Sequence, residues 1–511
     1  MPQVSEPSTL LSSLGTVLAG VAPERILVVI CLLLAYPLAH LFRCLPSNHP
    51  TLRHAFSVAA TLVLFVGIQG QWIGLAHLLT SALATFTLVD VLRKPWMPWV
   101  VSAVAMLHLA WTHWQRLSYN LDNPPLDYSG AHMVLVIKLT SFAFNVADGR
   151  VSSDQVLSSR QQAKAIRGMP TFMEFMGYIF FFGNFLVGPA IEYRDYIAFV
   201  DPRENSSLQE NPTAQTVSSS ASRPSDPLST PLGRSTSLRS AYIELTGALA
   251  WIMGAVVLDA RFPPQLMAAS VYHEWNFSHR LLFLLVTCFT VRMPYYAAWK
   301  LAKGACILTG MGFNGYDETT DQPHWDKFTN VYPGRFEGAQ NLRAMLEAWN
   351  VATSVWLRNY VYLRVAPRGK KPGIRATFLT FFMSALWHGF FPGYYLAFLT
   401  ISFMSSVART LRRTIRPIFV AAITSDDPHE QPPLTRYKTF YDTASWLLTQ
   451  VALSYAIVPF ILLDFDKSIE AWRANYFLGH LLLLAIVLIL RLGGSRILRR
   501  FHYRPVKSHQ Q

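Results

Sequence analysis

Long apolar stretches alternate with short polar segments along this chain of 511 residues. About 20 apolar residues cross the hydrocarbon core of a bilayer as a helix, and inside lipid only helices and closed barrels satisfy the backbone. The stretches lack the alternation at every second residue that is typical of barrel strands. The pattern predicts an all-α, polytopic integral membrane protein with roughly ten to twelve transmembrane helices, some of them short or broken. The apolar stretches cover residues 26–42, 55–68, 72–92, 96–111, 173–187, 241–258, 281–293, 376–408, 446–463 and 476–490.

Composition supports lipid as the main solvent of the chain. Hydrophobic residues make up 51% of the sequence and charged residues only 14%, with a mean hydropathy of +0.25. A soluble domain carries about 25% charged residues. Too few charges are present to cover a surface that faces water on all sides.

Polar segments divide the chain into three parts. Residues 1–22 form a polar N-terminal segment, residues 23–492 form one membrane-embedded domain, and residues 493–511 form a basic tail. Within the domain, residues 201–240 are rich in Ser and Pro and are predicted to be a disordered loop, because such a composition cannot bury an apolar core.

The net charge of +14 raises the question of a nucleic-acid partner. The basic residues lie mainly in the connectors between apolar stretches, as in residues 368–375 and 409–416, and in the tail. Connectors rich in Lys and Arg normally face the cytosol and attract anionic lipid headgroups. The charge pattern therefore favours the lipid bilayer over nucleic acid as the partner.

A polar and aromatic segment, residues 310–372, interrupts the apolar stretches. Within it, residues 341–363 have helical periodicity, with an apolar stripe that includes Leu346 and Trp349 and a polar stripe that includes Asn350 and Arg358. Spacings of three and four residues define both faces. The sequence predicts one amphipathic helix, which lies either in the membrane interface or beside a cavity.

His388 is the one group that titrates near neutral pH in the apolar stretch of residues 376–408. Ionisable residues inside a membrane usually face a partner or a cavity and are functional, and a neutral imidazole is the form that acts as a general base. Ser384 lies one turn earlier, within reach of the imidazole. Gly389 and Pro392 follow, and they predict a kink or break in the helix. The residues leave three roles open for His388: base, proton relay and structural residue.

Other chemistry has little support in the sequence. The residues that a metal would need, such as His273 and His324, lack ligand spacing, and no metal site is predicted. The sequence has no G-x-S-x-G nucleophile motif and no glycine-rich phosphate loop.

Three motifs resemble the signature of the membrane-bound O-acyltransferase (MBOAT) family. They are WNVATSVWLRNYVYLRV at 349–365, GKKPG at 369–373 and SALWHGFFPGYYLAF at 384–398. The order, an Asn followed by a His 38 residues later, is similar to the catalytic pair of that family. The segments LTGMGFNGYD, HWDKFTNVYPGRFE and FGNFLVGPAIEYRDY resemble its lysophospholipid acyltransferase branch, most closely the broad-specificity fungal members.

The resemblance implies an MBOAT fold in which helices surround a central tunnel that His388 and Asn350 face. It implies that His388 removes the proton from the sn-2 hydroxyl of a lysophospholipid, and that Asn350 donates a hydrogen bond to the thioester oxygen of acyl-CoA or orients the substrate. Acyl-CoA is then a co-substrate, no cofactor is needed, and the protein resides in the endoplasmic reticulum membrane. The alternative function is a transporter or channel in which His388 relays protons.

Further residues are candidates for substrate contacts. Basic side chains suit the phosphates of CoA, although positive-inside topology explains them equally well. Aromatic side chains suit the wall of a chamber, and packing or anchoring at the interface is the alternative for them. The candidates are Trp349, Trp356, Arg358, Tyr362, Arg364, Lys370, Lys371, Arg375 and Ser384.

Overall fold

The computed structural model is helical, as the apolar pattern predicts. Among the residues that it describes, the β-structure is one isolated antiparallel bridge between Tyr316 and Pro323. The predicted segment 1–22, most of the predicted loop 201–240, and Lys370 and Lys371 lie outside the described residues. The described residues are 23–118, 127–151, 157–201, 227–365, 373–419 and 436–501.

Eight helices in the described ranges are long and apolar enough to cross a membrane. The protein is therefore a multi-pass membrane protein. The sequence predicts roughly ten to twelve crossings. Two of the predicted apolar stretches do not form one long helix each, which accounts for part of the difference from eight. The apolar stretch 173–187 leaves the helix after Ile179, and the stretch 376–408 is divided between two helices. The eight candidate spans are Glu24–Cys44, Pro50–Ile68, Trp72–Val91, Ser129–Gly149, Pro231–Asp259, Phe277–Thr309, Tyr437–Leu462 and Leu478–Arg499.

The chain divides into two compact units. The first unit comprises residues 1–256 and 293–330, and the second comprises residues 257–292 and 331–511. Each has a hydrophobic core of its own.

The helices of the first unit precede the polar segment. They are α1 (Pro23–Cys44), α2 (Pro50–Leu62, extended by a π-turn at Val63–Ile68), α3 (Trp72–Val91), α4 (Met97–Ser118), α5 (Ser129–Gly149), α6 (Ser159–Lys164), α7 (Phe172–Ile179), α8 (Tyr193–Val200) and α9 (Pro231–Asp259).

The helices of the second unit contain His388 and flank Asn350. They are α10 (Ser270–Glu274), the first half of α11 (Phe277–Thr309), α12 (Pro333–Glu337), α13 (Leu342–Glu347), α14 (Val351–Trp356, extended by a π-turn at Leu357–Tyr362), α15 (Ile374–His388), α16 (Pro392–Phe419), α17 (Arg436–Leu462), α18 (Phe465–Ala474), α19 (Leu478–Ile489) and α20 (Ser495–Arg499).

The end of the predicted loop 201–240 needs correction. Helix α9 begins at Pro231, so residues 231–240 are helical and do not belong to the predicted loop. Proline is well suited to the first turn of a helix, because a backbone N–H at that position would have no acceptor within the helix. The apolar run that follows extends the helix. At the other end of the domain, the helical segment continues to Arg499 and has a kink at Gly493, next to the predicted boundary at residue 492.

Lys138 is a buried lysine in the core of the first unit. Its side chain is 1% exposed, and Nζ donates to the backbone oxygens of Tyr178 and Ile179 and to Oδ1 of Asn184, each at 3.1 Å. Tyr178 and Ile179 are the last residues of α7, whose final carbonyls have no partner within the helix. Lys138 therefore allows a short helix to end inside the protein.

Lys138→Met is expected to destabilise the protein by roughly 2 kcal/mol or more, because it leaves buried carbonyl oxygens without a donor. Thermal unfolding in detergent measures the effect. Lys164→Met is the control: Lys164 pairs with Asp195 at 2.6 Å but is 21% exposed, and an ion pair near the surface contributes at most about 1 kcal/mol. Equal melting temperatures for the two variants would contradict this role for Lys138.

Candidate active site

His388 is the last residue of α15, and the helix breaks directly after it. Gly389 has φ 120°, a backbone conformation that glycine adopts without steric cost. Helix α16 then begins at Pro392, a residue favoured in the first turn. The break predicted from Gly389 and Pro392 is thus confirmed, and it leaves the imidazole at a helix end instead of within a continuous span.

Aromatic rings surround the imidazole of His388. Its centroid lies 4.8 Å from Trp387, 5.5 Å from Tyr394, 5.3 Å from Phe398 and 5.0 Å from Phe460. The ring of Phe398 stacks on the imidazole, and Phe460 meets it edge to face. His388 is partly buried, so the rings hold its orientation without closing it off completely.

A backbone contact joins α16 to the end of α17, next to His388. The N–H of Gly393 donates to the oxygen of Leu463 at 2.8 Å. A Cβ atom on Gly393 would collide with the backbone oxygen of Pro459. Glycine is therefore required here by the close approach of two backbones, and this approach places Phe460 of α17 against the imidazole.

The amphipathic segment that contains Asn350 is not one helix, and this corrects the prediction for residues 341–363. Helix α13 ends at Glu347, α14 begins at Val351, and Asn350 lies between them with φ 43° and ψ 56°. This left-handed conformation is uncommon for residues other than glycine, and Asn is one of the few that tolerate it. The periodicity misses the break because the two short helices keep nearly the same spacing of apolar residues.

The side chain of Asn350 is held by the first turn of α14. The hydroxyl of Thr353, a buried residue, donates to Oδ1 of Asn350 at 2.9 Å. With Oδ1 bound to Thr353, the amide N–H₂ group lies on the other side of the carboxamide. An amide oriented in this way is suited to donate a hydrogen bond in one direction.

The helices of the two candidate catalytic residues pack against each other through tryptophans. Trp356 of α14 and Trp387 of α15 are both almost fully buried, and their ring centroids are 6.2 Å apart. Trp387 is adjacent to His388, and Trp356 lies in the helix that Asn350 precedes. The contact brings the two sequence motifs together in space.

The other predicted substrate-binding residues occupy varied positions. Arg358 and Arg375 are exposed, whereas Ser384 is buried in α15. Trp349 packs on Phe336 with 5.2 Å between ring centroids. Tyr362 and Arg364 are partly buried, and the guanidinium of Arg364 lies 6.0 Å from the ring of Tyr360. Trp349 and Trp356 therefore each make a packing contact. Among these residues, Arg358 and Arg375 are the most exposed.

A cavity of about 430 Å³ lies beside the segment that leads to Asn350. Neither Asn350 nor His388 lines it. The central tunnel that the resemblance implies therefore stays a prediction. The lining residues are Tyr332, Arg335, Gly338, Ala339, Gln340, Asn341, Ala344, Glu347 and Ala348.

Several residues of the site are not evident from the sequence. Phe398 and Phe460 reach His388 by tertiary packing, and one phenylalanine among the 33 in the chain carries no local signal. Thr353 is different, because a hydroxyl three residues after an Asn at a helix start is a recognisable local pattern.

Comparisons with known proteins agree with the motifs. The sequence model of the membrane-bound O-acyltransferase family matches residues 98–458. The chain is 35% identical to a lysophospholipid acyltransferase of Schizosaccharomyces pombe, over 96% of this chain and 92% of that protein. It is 32% identical to a lysophospholipid acyltransferase of Saccharomyces cerevisiae, over 89% and 72%. It is 29% identical to membrane-bound glycerophospholipid O-acyltransferase 1 of mouse, over 98% and 94%.

Proposed function

The chain belongs to the membrane-bound O-acyltransferase family and is an O-acyltransferase, and we propose that it transfers a fatty acyl group from acyl-CoA to the sn-2 hydroxyl of a lysophospholipid. The observation that carries the proposal is the similarity to a fungal lysophospholipid acyltransferase over nearly the whole length of both chains. We propose the endoplasmic reticulum membrane as its location, on the basis of the resemblance to the family.

His388 acts as the general base in the proposed mechanism. Its imidazole takes the proton from the sn-2 hydroxyl, and the alkoxide oxygen attacks the thioester carbonyl directly. A C–O bond forms and the C–S bond breaks. The imidazolium then returns the proton to the thiolate, so the products are a diacyl phospholipid and free CoA. General acid–base catalysis of this kind contributes about 10²- to 10⁴-fold to a rate.

Asn350 stabilises the charge that develops on the thioester oxygen. Its amide N–H₂ lies opposite the oxygen that Thr353 binds at 2.9 Å, so the carboxamide is oriented before the substrate arrives. A donor that needs no reorganisation during the reaction contributes about 3 kcal/mol to stabilisation of the transition state. The Trp356–Trp387 contact supports joint action by Asn350 and His388, because it packs their helices together.

The CoA moiety carries phosphates, and exposed basic residues are near the two motifs in sequence. Arg358 lies in the π-turn that extends α14, Arg375 is the second residue of α15, and both are exposed. In the proposal they attract the CoA phosphates from the aqueous side. Lys370 and Lys371 belong to the same basic stretch but lie outside the described residues.

The purified protein is expected to release free CoA when acyl-CoA and lysophosphatidylcholine are both present, and not when either is omitted. A thiol reagent measures the CoA, and lipid chromatography measures the diacyl product. The acceptor panel extends to lysophosphatidylethanolamine and related lysophospholipids, and it identifies the preferred headgroup.

Two outcomes separate the proposal from its alternative. Absence of CoA release with every lysophospholipid acceptor would contradict it. A transporter or channel that uses His388 as a proton relay would instead dissipate a pH gradient imposed across proteoliposomes. It would do so without acyl-CoA and without forming a lipid product.

A further inference from the structure

Arg292 and Glu337 form a largely buried ion pair in the second unit. Nε of Arg292 donates to Oε1 of Glu337 at 2.9 Å, and Nη2 donates to Oε2 at 2.8 Å. The side chains are 6% and 26% exposed. A bidentate pair of this type fixes orientation as well as distance. The pair therefore joins α11 to the last residue of α12 in a defined geometry.

Helix α17 binds the same residue from another direction. The backbone oxygen of Glu337 accepts hydrogen bonds from Nε1 of Trp446 at 2.6 Å and from Nε2 of Gln450 at 2.7 Å. Trp446 and Gln450 are four residues apart and share one face of α17. Glu337, at the end of α12, is thus bound to α11 through its side chain and to α17 through its backbone oxygen.

Helix α12 in turn holds the residues that directly precede Asn350. Phe336 packs on Trp349 with 5.2 Å between ring centroids, and the guanidinium of Arg292 lies 5.2 Å from the ring of Phe336. At the start of the helix, the N–H of Tyr332 donates to the oxygen of Ala348 at 3.0 Å. Any shift of α12 would pass to Asn350 through Trp349 and Ala348.

The far end of α17 contacts the other catalytic candidate. Phe460 lies 5.0 Å from the imidazole of His388, centroid to centroid. One helix therefore holds α12, which positions the Asn350 segment, and also packs against His388. The relative placement of the two residues depends on how α12 is seated on α17.

We propose that Arg292 and Glu337 are positioning residues for acyl transfer: their side-chain pair fixes the end of α12 against α11 while α17 binds its backbone, and so places Asn350 relative to His388. The inference rests on the proposed function. Neither residue touches the reacting atoms. Their effect on the rate arises because a misplacement of about 1 Å in a catalytic group can cost roughly 10²-fold.

Glu337→Gln, Arg292→Gln and the double variant test this proposal in the CoA-release assay. Glu337→Gln keeps the backbone oxygen that α17 binds but loses the bidentate pair. Each single variant is expected to lower kcat about tenfold with KM within about twofold, because substrate binding is kept and alignment is lost. The double variant is expected to lose no more than the worse single variant, since both changes remove the same contact. Glu337→Asp is expected to restore part of the rate.

Glu470→Gln is the matched control, because it removes a carboxylate that contacts His273 at 2.8 Å and Arg473 at 3.0 Å in the same unit. Its kcat is expected to equal that of the wild type. Wild-type kcat in folded Glu337→Gln or Arg292→Gln, or multiplying losses in the double variant, would overturn the positioning role. If the Gln variants do not fold, Trp446→Phe combined with Gln450→Leu decides: it removes both side-chain donors from α17 to the backbone oxygen of Glu337, and an unchanged kcat would overturn the role. An inactive wild type would instead reject the proposed function.

Discussion

His388→Phe is expected to lower kcat by about 10²- to 10⁴-fold while the protein keeps its fold. The imidazole lies among the rings of Trp387, Tyr394, Phe398 and Phe460. A phenyl ring keeps these aromatic contacts but cannot accept a proton. The substitution therefore separates the base from the packing, which a change to alanine does not, because alanine also leaves a cavity. The CoA-release assay at saturating substrate measures the effect.

His480→Phe is the matched control for this substitution. His480 lies in α19 of the same unit, and its Nδ1 is 2.6 Å from the hydroxyl of Tyr455. The control variant makes the same chemical change at a histidine in a candidate membrane span, to which the mechanism assigns no role, and its kcat is expected to stay near the wild-type value. If folded His388→Phe keeps more than a tenth of the wild-type kcat, His388 is not the base.

Substitutions of Asn350 are expected to give the second large effect, a loss of about 10²-fold or more in kcat. The left-handed backbone of Asn350 determines which substitutions are informative. Alanine there costs roughly 1–2 kcal/mol of backbone strain and would mix two effects. Asp is nearly isosteric, still accepts from Thr353 and tolerates this backbone, but it has no N–H donor. Gly keeps the backbone and removes the whole side chain.

Both Asn350→Asp and Asn350→Gly are expected to be folded and slow, because each lacks the amide donor. Asn341→Asp is the control at a second helix start: Oδ1 of Asn341 accepts from the N–H of Ala344 at 3.0 Å, and a carboxylate keeps that cap. Its activity is expected to be close to the wild type. A rate near the wild-type value for Asn350→Asp would make Asn350 a structural residue of the helix start.

The membrane character of the chain was predictable from the sequence, as was the break after His388. Both follow from local properties. Apolar stretches need lipid around them wherever they lie in the fold, and a Gly and a Pro close together interrupt a helix in almost any context. The break beside Asn350 was not predictable from periodicity, because the spacing of apolar residues continues across α13 and α14.

Resemblance identified the pair of Asn350 and His388, and packing supplied their surroundings. The contact between Trp356 and Trp387 joins two motifs that are separate in the sequence. The rings of Phe398 and Phe460 around the imidazole, and the ion pair of Arg292 and Glu337, are likewise long-range contacts. Each of these contacts depends on how the helices pack against one another.

The sequence by itself determined that this protein is a helical membrane protein with an isolated imidazole at a helix break. It also contains the motifs of an O-acyltransferase. Only the tertiary structure decided that Asn350 adopts a left-handed backbone held by Thr353, that aromatic rings enclose His388, and that the end of α12 is seated on α17. The physical reason is that hydropathy and helix breaking act over a few residues, whereas the direction of a side chain depends on residues that folding brings from distant parts of the chain.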